Sequence, residues 1–162
     1  MIGFKWLKFG DRRATAAPQP SAATDRESVP NPTDPNAKSV LIVDDDAVFV
    51  RATSMKLRAA GFKVRSAPGA SEAIESLRDI GADAILMDIE FPPDVCNGGM
   101  ASWDGFQLMN WLRGLPTTRG ARFIMVSNSD SPEFRSRAAK LGVAAYLRKP
   151  LHDGLLRTAI NG

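Results

Sequence analysis

The sequence contains only one cysteine, Cys96, and one histidine, His152, among its 162 residues. One cysteine cannot form an internal disulfide, and the pair cannot supply the ligands of an ordinary zinc site. Apolar runs are short, and none reaches the roughly 20 residues that a membrane-spanning helix needs. These absences exclude a disulfide scaffold and a structural zinc centre, and they favour a soluble protein in a reducing, cytoplasmic environment.

A dense basic stripe is also missing, although the pI is about 9.3 and the formal net charge is +3. Residues 1–38 carry six Lys and Arg against four Asp and Glu, and residues 39–162 carry fifteen against fourteen. Nucleotide-binding loops of the types Gly-x-x-x-x-Gly-Lys and Gly-x-Gly-x-x-Gly do not occur either. Because binding to a phosphate backbone usually needs a basic stripe, direct nucleic-acid binding is not expected.

The first 38 residues differ in composition from the rest of the chain. Five prolines between residues 14 and 38 predict an extended linker. Before it, five large apolar side chains alternate roughly with lysines: Ile2, Phe4, Trp6, Leu7 and Phe9. Either residues 2–9 dock weakly on a membrane surface or a partner protein, or they pack on their own domain or on nothing. We expect residues 1–38 to be a flexible peptide and linker before a folded domain at residues 39–162.

From Ser39 onward, short apolar runs alternate with segments of helical periodicity. The predicted strands are Ser39–Val43, Lys63–Ala67, Ala84–Met87, Phe123–Val126 and Ala144–Leu147. The predicted helices are Ala47–Ala60, Ala70–Ile80, Phe106–Leu112, Pro132–Leu141 and Asp153–Ile160. The first helix should bury the apolar face formed by Val48, Ala52, Met55 and Ala59. Five β-then-α units predict an α/β fold, with a doubly wound parallel sheet covered by helices on both faces.

Polar side chains stand at the carboxyl ends of four predicted strands, where the ligand crevice of a parallel sheet lies. They are Asp44 to Asp46 after the first strand, Asp88 at the third, Ser127 at the fourth and Lys149 after the fifth. Asp46 is expected to cap the following helix. Clustered carboxylates repel one another unless a cation joins them, and Mg²⁺ prefers oxygen ligands. The set predicts a Mg²⁺ (or Mn²⁺) site where Asp88 takes a phosphoryl group, with Lys149 and Ser127 available to phosphoryl oxygens.

Three sequence strings carry a resemblance to a known family. They are Val40-Leu41-Ile42-Val43-Asp44-Asp45-Asp46, Ala84-Ile85-Leu86-Met87-Asp88 followed by Pro92, and Gly142-Val143-Ala144-Ala145-Tyr146-Leu147-Arg148-Lys149-Pro150. Over about residues 39–160 the chain resembles the receiver domain of bacterial two-component response regulators, of the chemotaxis-regulator type. The resemblance implies a flavodoxin-like fold with strand order 2-1-3-4-5.

The resemblance also implies roles for the strand-end residues. Asp45 and Asp88 would ligate the metal directly together with the Glu90 carbonyl, while Asp44 would act mainly through a metal-bound water. Asp88 would receive phosphoryl from a histidine kinase or a histidine phosphotransfer protein.

The same resemblance implies a switch that transmits phosphorylation to partners. Ser127 would move toward the phosphoryl group, and Tyr146 would change rotamer with it. The Lys149–Pro150 peptide bond would be cis.

One segment departs from the family pattern. Between Asp88 and the Asp104-Gly105 pair, the loop at residues 91–103 is about nine residues longer than the family norm, an insertion that costs little entropy. Its apolar side chains either cover the phosphorylation pocket or form a partner surface, or else the segment is an insertion without function. These possibilities stay open.

Three functions compete at this level. The leading prediction is a stand-alone receiver that signals by contact with an unknown downstream protein; it is not a multiple-turnover enzyme, with self-dephosphorylation left open. The alternative is an unphosphorylated adaptor that uses the 91–103 loop or the N-terminal peptide. A phosphatase of the haloacid dehalogenase type needs a second Asp two residues after the nucleophile, where this sequence has Glu90. The expected location is cytoplasmic, with peripheral membrane contact through residues 2–9 left open.

Overall fold

Strands and helices alternate along the part of the chain that the structure describes. The computed structural model describes residues 34–90 and 103–162. The strands are β1 (Ser39–Val43), β2 (Lys63–Ala67), β3 (Ala84–Asp88), β4 (Arg122–Ser127) and β5 (Ala145–Arg148). The helices are α1 (Ala47–Ala59), α2 (Ala70–Asp79), α3 (Gly105–Leu112), α4 (Pro132–Lys140) and α5 (Asp153–Asn161). The predicted elements are therefore present, with ends that shift by one residue.

All five strands join one parallel sheet in the order β2-β1-β3-β4-β5. The order confirms the predicted flavodoxin-like topology. In the register, Val43 pairs with Ala67 on one side and with Met87 on the other, and Asp88 pairs with Val126. The carboxyl ends of the strands therefore meet along a single edge of the sheet.

Alternation along the strands divides the core into two layers. Leu41, Val43, Ile85 and Met87 pack with residues of α2, α3 and α4 on one face of the sheet. Val40, Ile42, Leu86 and Ile124 pack with residues of α1 and α5 on the other face. Apolar residues on both faces of each central strand account for the continuous hydrophobic runs in the sequence.

The ends of α1 follow the local signals in the sequence. The Asp46 side chain accepts hydrogen bonds from the backbone N–H groups of Val48 and Phe49, which confirms it as the N-cap. Gly61 follows the helix with φ of 86°. Only glycine takes this left-handed conformation without steric cost, so it lets the chain turn into β2.

The apolar face predicted for α1 is wrong. Val48, Ala52, Met55 and Ala59 are all exposed, whereas the buried residues are Thr53, Ser54 and Leu57. Thr53 and Ser54 are small enough to be buried beneath the helix, and Leu57 joins the core with Phe49 and Val50 packed against it. Periodicity identified the most apolar row of α1, but the way the helix packs against the sheet buries a different row.

One short helical turn was not predicted, and two predicted segments fall outside the described residues. A single 3-10 turn at Pro116–Thr118, which the sequence analysis did not predict, precedes β4. Residues 2–9 and nearly all of the 91–103 loop fall outside the described residues, so those predictions stay predictions. Among the residues that are described, no helix has both the length and the apolar character to cross a membrane.

Candidate functional site

Four neighbouring strand ends bring the predicted polar residues together. Asp44 follows β1, Asp88 ends β3, Ser127 ends β4 and Lys149 follows β5. Backbone hydrogen bonds continue past the strands: Ile89 N–H donates to Val126 O at 3.0 Å, and Lys149 N–H donates to Ser127 O at 2.9 Å. The parallel ladder thus fixes the spacing of the functional side chains.

Three carboxylates form a cluster at this edge. One oxygen from each of Asp44, Asp45 and Asp88 lies within 4.8 Å of the others. Asp44 and Asp88 are each 3% exposed, whereas Asp45 is exposed at the mouth of the site. Asp44 Oδ1 accepts a hydrogen bond from Asp46 N–H, and Asp88 Oδ1 accepts one from Ile89 N–H. Backbone donors therefore hold the two buried carboxylates in fixed orientations.

The Lys149 ammonium lies against the two buried carboxylates. Its Nζ is 2.6 Å from Asp44 Oδ2 and 3.5 Å from Asp88 Oδ2, and its side chain is 7% exposed. The Lys149–Pro150 peptide bond is cis, as expected from the resemblance. The Lys149 ammonium faces the carboxylates of Asp44 and Asp88, with Asp45 nearby. One ammonium therefore offsets only part of the negative charge of this cluster.

Burial is the main cause that raises the pKa values of both buried acids, and the charge of a neighbouring aspartate adds to it in each case. For Asp88, removal from water is the main cause and the charge of Asp44 adds to it, while Lys149 opposes them; the pKa rises from 3.8 to about 6. Burial also raises the pKa of Asp44, while the nearby Lys149 ammonium and a hydrogen bond from the Asp46 backbone oppose the rise. The Lys149 ammonium alone therefore does not offset the cost of burying the two carboxylates.

The carboxylate cluster fits a divalent cation. Asp44 Oδ2 is buried and makes no hydrogen bond of good geometry, although the Lys149 ammonium lies beside it. Oxygen donors from three carboxylates, of which Asp45 is exposed, suit a hard divalent cation. A cation here would supply the charge that one ammonium does not.

Ser127 and Tyr146 are connected through the loop after β4. Ser127 is fully buried, and its Oγ accepts a hydrogen bond from Ser129 N–H at 3.1 Å. The Tyr146 hydroxyl donates to Ser129 O at 2.8 Å. The Arg135 guanidinium lies over the Tyr146 ring and pairs with Asp130. The contacts join the two predicted switch residues, while their movement stays a prediction.

Glu90 lies two residues after Asp88, and its side chain is exposed. Metal ligation by the Glu90 carbonyl stays a prediction from the resemblance.

Two neighbours of the site were missed by sequence reasoning. The Phe49 ring lies under Lys149 Nζ, which is 4.3 Å from the ring centroid. A Cβ on Gly105 would lie 2.0 Å from the Asp88 carbonyl oxygen, so only glycine lets α3 begin this close to Asp88. The Asp-Gly pair was a visible signal for the second contact, but no local pattern indicated the first.

Comparison with known proteins gives a consistent family assignment. Residues 40–161 match the family model of the response regulator receiver domain. The chain is 30% identical over 115 residues to the transcriptional regulatory protein GltR of Pseudomonas aeruginosa, covering 71% of this chain and 44% of that protein. It is 31% identical over 118 residues to the response regulator PleD of Caulobacter vibrioides, covering 72% and 24%. The chain thus spans less than half the length of these curated relatives.

Solved structures with the same fold are numerous. A CheY-like receiver domain protein from Methanospirillum hungatei superimposes with a TM-score of 0.64 at 27% identity, covering 76% of this chain and 90% of that one. The chemotaxis protein CheY4 of Vibrio cholerae gives a TM-score of 0.63 at 25% identity, with coverage of 75% and 95%. The likeness extends over most of the described residues.

Proposed function

Because the chain belongs to the response regulator receiver domain family, we propose that it accepts a phosphoryl group on Asp88 and signals through protein–protein contact. The observation that carries the proposal is the convergence of Asp44, Asp45 and Asp88 with the Lys149 ammonium at one edge of the sheet. An adaptor that is never phosphorylated has no need for this costly cluster of buried charge. The phosphoacceptor unit in this proposal is residues 39–162.

The reaction is a transfer to a carboxylate oxygen. Asp88 attacks the phosphorus atom of a phosphohistidine, the P–N bond breaks, and its electron pair goes to the donor imidazole, which takes up a proton. The product is an acyl phosphate on Asp88. A bound Mg²⁺ or Mn²⁺ supplies positive charge that offsets the phosphoryl charge.

Each neighbour of Asp88 has a separate part. Asp45 and Asp88 would hold the cation with the Glu90 carbonyl, and Asp44 would hold it mainly through water. The Lys149 ammonium, already beside Asp88, would pair with a phosphoryl oxygen.

Ser127 and Tyr146 would carry the change to partners. The Ser127 hydroxyl would donate to a phosphoryl oxygen, and the contacts through Ser129 offer a route from it to the partly exposed Tyr146. The phosphoryl group would thereby bias a two-state equilibrium of the loop after β4.

The partners follow from this chemistry. The donor would be a histidine kinase or a histidine phosphotransfer protein in the cytoplasm, and the receiver would act on a downstream protein. In this function the chain is a phosphoacceptor, and its only turnover would be the hydrolysis of its own acyl phosphate. Docking of residues 2–9 on a membrane or protein remains a separate proposal.

Labelling with acetyl phosphate and Mg²⁺ tests the proposed function. Wild type should gain the mass of one phosphoryl group, and the gain should disappear in EDTA and in Asp88→Asn. Asp79→Asn, which changes an exposed acid at the end of α2, is the matched control and should label like wild type. A wild type that does not label with Mg²⁺ present would favour the adaptor instead.

A further inference from the structure

A closed circuit of contacts links Phe49 to the buried charges. Asp46, whose backbone N–H donates to Asp44, caps the N–H of Phe49 through its side chain. The distance from the centroid of the Phe49 ring to Lys149 Nζ is 4.3 Å. Lys149 in turn lies 2.6 Å from Asp44, where the circuit closes. The residues that begin α1 are thereby tied to the lysine that follows β5.

The Lys149 ammonium contacts both the Phe49 ring and the two buried carboxylates. A Lys ammonium has three donors, and the structure places Asp44 and Asp88 near Nζ at 2.6 and 3.5 Å. The negative face of an aromatic ring attracts a cation, and more strongly where water is excluded. Only 7% of the Lys149 side chain is exposed, so the ring and the ammonium meet where little water has access.

We propose that Phe49 is a positioning residue for phosphotransfer, because its ring holds the Lys149 ammonium toward Asp44 and Asp88. The inference rests on the proposed function and deepens it. A lysine side chain has four rotatable bonds, so an ammonium held on one side by a ring stays aligned for the incoming phosphoryl oxygen. A leucine would fill similar apolar space beside the core layer of α1 and α5, but it would not attract the cation.

Fluorination of a single ring separates cation attraction from packing. Phenylalanine with one, two and three ring fluorines is introduced at position 49, since each fluorine weakens the negative ring face with little change of shape. The labelling rate by acetyl phosphate, at fixed phosphodonor and saturating Mg²⁺, should fall stepwise along the series. Phe49→Leu should be about tenfold slower than wild type, which corresponds to about 1.4 kcal/mol.

The matched control is the same fluorination at Phe123. This ring also lies under a cation, with the Arg113 guanidinium 5.4 Å from its centroid, but it stands at the opposite end of β4 from the site. Labelling rates should stay at the wild-type value along the Phe123 series. An equal fall in both series would overturn the inference, because it would indicate a general loss of stability.

A second readout does not depend on phosphorylation. In the metal-free protein, the Lys149 ε-methylene protons should show an upfield ring-current shift by NMR, and Phe49→Leu should remove it. Failure of the proposed function appears as a wild type that does not label. Failure of this inference appears as a wild type that labels while the Phe49 series is flat, or as the absence of the ring-current shift.

Discussion

Asp88 and Asp44 are buried side by side, and the ionised form of each is costly for the fold. The pKa of Asp88 lies near 6 because burial and the neighbouring Asp44 charge disfavour its carboxylate form. Lys149 offsets this only in part. Residues that serve a reaction are commonly held at such a cost to stability, which a substitution can then recover.

The first prediction concerns Asp88→Asn and pH. Asn keeps the oxygen that accepts the Ile89 N–H but has no charge to bury. Well below pH 4 the carboxyl is protonated in both folded and unfolded chains, so wild type and variant should be similarly stable. As pH rises through 6, the stability that the raised pKa contributed is lost in wild type only. At pH 7 in EDTA the variant should be more stable by about 2–3 kcal/mol in urea unfolding.

If the stability difference between Asp88→Asn and wild type were the same at pH 4 and pH 7, the raised pKa would not be its cause. Asp79→Asn serves again as the control and should show no such pH dependence.

A second prediction concerns the opposite charge. Lys149→Met keeps much of the side-chain length but leaves the Asp44 and Asp88 carboxylates without their ammonium. Breaking a buried ion pair from one side costs about 3–5 kcal/mol. The free energy of unfolding in EDTA at pH 7 should fall by roughly that amount, and the loss should shrink on acidification as the acids protonate.

The exposed Lys38 provides the reference for this change. Lys38→Met should alter stability by no more than about 0.5 kcal/mol. A Lys149→Met protein as stable as Lys38→Met would show that the buried ion pair does not support the fold.

Residues whose location in the fold depends on chain position alone were predictable from the sequence. Asp44, Asp88, Ser127 and Lys149 all follow from one rule, that parallel strands deliver their carboxyl ends to the same edge. Phe49 was not predictable, because its partner Lys149 is distant in sequence and the contact depends on where α1 begins. The Phe49–Lys149 contact is set by how α1 packs beside the end of β5, and no local sequence pattern encodes that packing.

At the scale of elements, strand identity was easier to predict than helix orientation. A strand buried on both faces shows itself as a continuous apolar run, and all five strands were located to within a residue or two. A helix on the surface of a sheet has several rows of small or apolar residues from which to choose. For α1, the row with Thr53, Ser54 and Leu57 packs inward although the row with Val48 and Met55 is more apolar.

The two rows of α1 should respond differently to truncation. Leu57 is 1% exposed and Met55 is 64% exposed. Leu57→Ala should lower the free energy of unfolding by about 2–5 kcal/mol, the range for a buried leucine. Met55→Ala should change it by no more than about 0.5 kcal/mol. Urea unfolding of the two variants shows which face of α1 packs on the core. A larger loss of unfolding free energy for Met55→Ala than for Leu57→Ala would support the face that periodicity predicted.

At the scale of the whole molecule, the fold and the site depend on the same arrangement. Two core layers hold the parallel sheet, and the sheet edge collects negative charge that Lys149 balances only in part. A ligand that binds only this arrangement must stabilise the entire folded chain, because the unfolded chain does not bring Asp44, Asp45 and Asp88 together.

The last prediction follows from that linkage. Mg²⁺ at a hundred times its dissociation constant should raise the free energy of unfolding by about 2.7 kcal/mol, with a corresponding rise in Tm. EDTA should reverse the effect, and KCl of equal ionic strength should not reproduce it. Asp45→Asn offers the sharpest comparison, since Asp45 is exposed and its loss should leave the metal-free stability nearly unchanged. If Asp45→Asn gained as much stability from Mg²⁺ as wild type, the cation would bind elsewhere, and the carboxylate cluster would need another explanation.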